Sequence, residues 1–163
     1  MPTGAVESPK ISLRHALATL AYRAAKAINN APVSFSAFRP GDGSRTAGQI
    51  LAHMCDLMEW ALGIARGQER WHDSTPQSWA EDRQRFFTKL SALDSYAASG
   101  EEMHASPDKL FQGAISDCLT HVGQLCMLRR MAGAQIRGEN YYVAEIEPGR
   151  TGADQAEPVY EFE

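Results

Sequence analysis

The sequence predicts an all-α protein, a four-helix bundle with an extended C-terminal tail packed on it. Three observations predict this. Four long stretches repeat apolar residues at three- and four-residue steps, each stretch is bounded by capping or stop residues, and none alternates as a half-buried strand would. The 163 residues fit a single domain, with the bundle over about 8–133 and the tail over 134–163. A chain of this length withdraws about two thirds of its unfolded surface from water, enough for one sizeable core.

The first helix opens with Ser8 as cap and Pro9 at the first helical position. Leu13, Leu17, Leu20, Ala24 and Ile28 then form one apolar face, and the run Asn29–Pro32 ends it. After a loop rich in Gly, Pro and Ser, the second helix starts at a Ser44 or Thr46 cap and stops near Gly67. The third starts at Ser78, which forms a capping box with Glu81, and runs to Gly100. The fourth is capped by Ser106, begins with Pro107 and ends at Gly133, with Arg129 and Arg130 at the negative pole of its dipole. Beyond Gly133 the helical period vanishes. This tail is expected to fold back, because its tyrosines and Ile146 need apolar cover.

Composition excludes several functions. A net charge of -4 and a pI near 5.7 argue against an electrostatic nucleic-acid binder. The longest apolar runs fall far short of the ~20 residues a membrane span needs, and the N-terminus lacks the pattern of a signal peptide. Cys55, Cys118 and Cys126 are odd in number and form no C-x-x-C pair, which fits reduced thiols and a cytoplasmic setting.

The chemistry concentrates on two helices. Asp117 and His121 stand four residues apart, rotated by only about 40° and with β-carbons about 5–6 Å apart. On the second helix, His53 shares a face with Ile50, Leu57 and Trp60, so all three side chains are expected to point inward, into a dry bundle core. Two imidazoles and a carboxylate suit a first-row divalent cation with open coordination positions: zinc, nickel, iron(II) or manganese. Spacing alone also fits a plainer arrangement, in which His121 hydrogen-bonds a buried Asp117 and His53 is a separate core residue.

The segments "TAGQILAHMCDLMEWALGIARG" and "DCLTHVGQLCMLRRMAG", with the following "ENYY", resemble the DinB/YfiT-like superfamily of metal-dependent proteins. The resemblance implies a bundle of up-down-down-up connectivity, commonly a homodimer. It also implies a metal held by one histidine of the second helix and an H-x-x-x-H pair of the last. His53 matches the first, and His121, within "HVGQ", matches the last. Asp117 stands where the family has its remaining histidine, still a competent ligand but less suited to softer ions. Zinc or nickel lead as the implied metal, with iron or manganese next. By resemblance, the function is a thiol-dependent transferase or isomerase, its small-molecule partner a thiol such as mycothiol or bacillithiol. A hydrolase is the alternative within enzymes. From another class, a non-catalytic dimeric binding or stress-response module would keep only a degenerate site.

Other candidates carry less. "EEMH" at 101–104 reads as a solvated turn, His15 and His72 lack partners at ligand spacing, and Cys55 and Cys118 point away from the histidine face. Trp60, Trp71 and Trp79 read as packing. Asp56 and Glu59 are candidates to orient His53, Gln124 to bond a metal water or substrate, and Asn140, Tyr141 and Tyr142 to line the mouth.

Overall fold

The computed structural model describes residues 9–162, so the expected Ser8 cap lies outside the described residues. Helix α1 spans Pro9–Ile28, α2 spans Ala47–Ala65 and α3 spans Trp79–Ala98. The fourth helical stretch has three parts: α4 (Pro107–Leu110), a π-helical turn (Phe111–Ile115) and α5 (Ser116–Met131). Thr46, not Ser44, caps α2, in a reciprocal box with Gln49, and Ser78 and Glu81 do the same for α3. Ser106 makes no side-chain cap bond, so Pro107 alone marks that start.

Residue-to-residue contacts fix how the helices run. Cys55 meets Asp82, Asp56 meets Arg85 and Glu59 meets Lys89, so α2 and α3 lie parallel. Arg14 pairs with Asp94 while Trp79 donates to the Ile28 carbonyl, so α1 and α3 lie antiparallel. His53 faces Asp117 and Cys118 faces Met54, while Ile50 shares a cleft with Leu128, so α2 and α5 lie antiparallel. The ends of α1 and α5 coincide, because Arg129 donates to the carbonyls of Ala27 and Asn29. The helices therefore run up, down, down, up, with α1 beside α3 and α5, and α2 beside the same two.

This topology makes demands on the connections. Parallel α2 and α3 need a crossover along the bundle, whose helices are about 28 Å long for the 19 residues of α2. Segment 66–78 supplies it in an extended path that reaches roughly 40 Å at full stretch. Gly67 opens it at φ 72°, where an added Cβ would meet the His104 ring at 3.0 Å. The diagonal passage from α1 to α2 folds a 3-10 turn, Val33–Ala37, over the bundle end, where buried Phe35 packs edge-on against Trp79.

The core is apolar and continuous. The five residues expected on the first helix face are all buried, and Leu51, Met54, Met58, Phe86, Leu90, Leu93, Ile115 and Leu125 join them. The tail does return to the bundle. Its strands β1 (Gly138–Glu139) and β2 (Glu161–Phe162) pair antiparallel. Glu139 accepts hydrogen bonds from Tyr22 and Lys26, and Lys26 also reaches Glu161. Tyr141 packs on Tyr22 beneath Arg23. The expectation of cover fails for Tyr142, which is 96% exposed. Among the described residues, no helix is long and apolar enough to cross a membrane.

Candidate metal centre

α2 and α5 bring His53, Asp117 and His121 together. One ligand atom from each lies within 4.8 Å of the others. His53 Nε2 is 3.7 Å from Asp117 Oδ2, and His121 Nε2 is 3.5 Å from Asp117 Oδ1. The two imidazoles meet edge to face with centroids 4.9 Å apart.

These distances tell against a direct hydrogen bond from either histidine to Asp117. At 3.5 and 3.7 Å the carboxylate is too far from either ring for a good hydrogen bond. Meanwhile His121 Nδ1 lies 2.7 Å from Gln124 Oε1. With the amide oxygen as acceptor Nδ1 is the donor, and in the neutral ring Nε2 is then the nitrogen free to ligate. A cation placed between that nitrogen and the carboxylate would be attracted by both. Metal–ligand bonds of about 2.0–2.2 Å set neighbouring ligand atoms roughly 3–3.5 Å apart. The two Asp117 spacings, one from each carboxylate oxygen, lie near that range, and one ligand atom from each residue falls within 4.8 Å of the others. The donor set fits a divalent cation.

Electrostatics point the same way for His53. Burial first, then the neighbouring His121 and Arg45, hold its imidazole below the ordinary value, against the pull of Asp117 and Asp56. His53 is therefore neutral at neutral pH, the form a metal requires.

The site is not the dry centre expected from the sequence. The Asp117 side chain is 47% exposed, against 18% for His53 and 11% for His121. The buried residues of α5 are Cys118, His121, Val122, Leu125, Leu128 and Arg129, and Asp117 is not among them. Asp117 stands about 100° round the helix from Cys118, at the outer seam with α2. Two clefts flank the triad there. One, about 310 Å³, is lined by Pro40, Arg45, Ile50, His121, Gln124 and Leu128. The other, about 370 Å³, is lined by Arg45, Gln49, His53, Asp73, Ser74 and Pro76.

Several supporting roles differ from expectation. Asp56 does not orient His53. It is buried, accepts from the Ser74 amide and hydroxyl, and pairs with Arg85. Glu59 pairs with Lys89. Gln124 holds His121 itself. Asn140, Tyr141 and Tyr142 line neither cleft, because the tail packs on α1, diagonally opposite α2. Trp71, read as packing, stands 5.7 Å from His53 by ring centroids and contacts Trp60 in turn. Arg45, at the triad's edge, had no sequence signal, since it belongs to no periodic face.

The cysteines stay outside the chemistry. Cys118 is fully buried with its thiol toward the Met54 carbonyl, and burial holds its pKa well above the ordinary value. Burial likewise pushes Cys55 up to about 12. Neither supplies a thiolate at neutral pH. "EEMH" is a turn, as expected, in which the exposed His104 donates its amide to the Ala65 carbonyl.

Comparison with known proteins returns no matching family profile, curated protein or solved structure.

Proposed function

We propose that the protein is a single-ion metalloprotein of DinB-like type, with His53, Asp117 and His121 as ligands. The observation that carries this is the convergence of two imidazole nitrogens and a carboxylate, with His121 Nε2 aimed inward by the bond from its Nδ1 to Gln124. Zinc or nickel suits two nitrogens best, and iron(II) or manganese suits the carboxylate. The up-down-down-up course of the helices agrees with the quoted sequence resemblance.

The reaction class proposed is metal-dependent transfer from a small-molecule thiol, with hydrolysis as the alternative enzyme reading. A divalent ion at this position supplies the positive charge that lowers the pKa of a thiol or water. The chain's own residues do the rest. Three protein ligands leave positions open, the half-exposed Asp117 admits a small molecule, and Trp71 walls one side of His53. The thiol must come from outside, because the cysteine beside Asp117 is buried and protonated. The exposure of Asp117 also supports a second reading, a binding module whose site has lost its metal.

Metal analysis of protein purified without a nickel column tests the proposal. Near one equivalent of a first-row metal, lost in His53→Ala and His121→Ala, is expected. Trace metal, with no thermal shift on adding zinc, nickel or manganese, would favour the binding module.

A further inference from the structure

Arg45 is a cation beside the triad that the protein itself leaves unmatched. Among the described residues it forms no hydrogen bond or ion pair, whereas Arg14, Arg83, Arg85 and Arg129 are each engaged by carboxylates, amide oxygens or carbonyls. It lines both clefts that flank the ligands, one on the His121 side and one on the His53 side. Its charge is felt at His53. The acids nearby do not pair with it: Asp56 is committed to Ser74 and Arg85, Asp117 is a proposed ligand, and Asp73, in the cleft on the His53 side, forms no ion pair with it.

The first cleft has a divided character. Pro40, Ile50 and Leu128 give it an apolar wall, while His121 and Arg45 sit at its polar limits. Arg45 precedes the helix by two residues, and six helical steps from Ala47 to His53 cover about 9 Å. Arg45 and His121 line one cleft of about 310 Å³, so a ligand that touches both is a small molecule.

We propose that Arg45 is a specificity-determining residue that selects ligands carrying an anionic group, a carboxylate above all, joined by a short apolar chain to the metal-seeking end. The guanidinium presents a planar fork that matches a carboxylate with two parallel hydrogen bonds. This inference rests on the metal reading above.

The test uses the whole chain loaded with cobalt(II), whose visible spectrum reports ligand entry without need of an activity. Mercaptopropionate and mercaptopropanol share a thiol and a chain length and differ in charge. The wild-type protein should bind the carboxylate at least tenfold more tightly. Arg45→Gln should bring the two ligands within about twofold by weakening the carboxylate alone, and Arg45→Lys should recover part of the preference. Cobalt content and helical circular dichroism, unchanged in Arg45→Gln, keep folding and metal binding separate from selectivity. Stoichiometric cobalt with equal affinity for both thiols would overturn the role of Arg45 and leave the metal reading standing. Failure to take up cobalt at all would overturn both.

Discussion

His53 and Asp56 are one helical turn apart on α2, yet the protein treats them in opposite ways. Asp56 is 2% exposed and saturated: Ser74 donates to it twice, and Arg85 pairs with it at 3.3 Å. His53 reaches the outer seam and faces a carboxylate 3.7 Å away and a second imidazole, without a close hydrogen bond to either. The first cluster is completed by its own chain and holds the fold. The second is left incomplete where solvent can enter. Buried ionisable groups that find all their partners serve structure, and those that converge without one are where a ligand belongs.

The largest effect that would break this contrast is on the closed cluster. Asp56→Ala takes one carboxylate from the Arg85 guanidinium, which keeps Asp82 at 3.2 Å, the Ser74 hydroxyl and the Ala52 carbonyl, and leaves Ser74 without its acceptor. Urea denaturation should show a loss of about 3 kcal/mol, the lower end for a broken buried pair. A loss under about 1 kcal/mol would make the cluster dispensable.

The open cluster should behave in reverse. Metal at a hundredfold excess over its dissociation constant should raise stability by about 2.7 kcal/mol. His53→Ala and His121→Ala should abolish that gain while keeping the helical circular dichroism of the metal-free protein. If His121→Ala unfolds the chain, the residue belongs with Asp56 as a structural group.

A smaller effect sharpens the role of Gln124. Gln124→Leu frees the His121 ring to turn or change tautomer. Metal affinity should fall by about ten- to a hundredfold by calorimetric titration, or about 1.4–2.7 kcal/mol. Unchanged affinity would mean that the bond at 2.7 Å does not orient the ligand.

The smallest effect is on pH. His53 is held below its ordinary value in the fold, so the unfolded chain takes up that proton first. The stability of the metal-free protein should therefore decline as pH drops below about 6.5 and level off below the folded pKa. His53→Gln should remove that slope. Metal occupancy should fall over the same range, because protons compete for both imidazoles.

The helices were legible because burial on one face imposes a 3.6-residue period that Leu13 to Ile28 display openly. The triad was legible because one turn of helix joins Asp117 to His121 and the bundle topology supplies α2 as a neighbour. Its solvation was not. Asp117 stands between Ser116 and Cys118 within a largely apolar helix, and only packing shows that Cys118 rather than Asp117 takes the core direction. The π-helical turn has no clear mark in the sequence, because Leu110, Ala114 and Ile115 are all buried and the four-residue step from Leu110 to Ala114 fits an ordinary helix. Asp56, Trp71 and Arg45 were beyond periodicity altogether. Their roles depend on where residues 38–46 and 66–78 travel, and loops encode their paths in tertiary contacts instead of a repeat.

That second path has a consequence for diversification. Two successive parallel helices oblige the polypeptide to climb the whole height of the barrel of helices, and here the climb passes directly beside the ligands, carrying Trp71 and Ser74 with it. Exchange or lengthening of this strap could recast what the pocket admits while every helix stays in place. New selectivity is therefore available to the protein at little risk to its folding, provided the anchor from Ser74 to Asp56 survives the change.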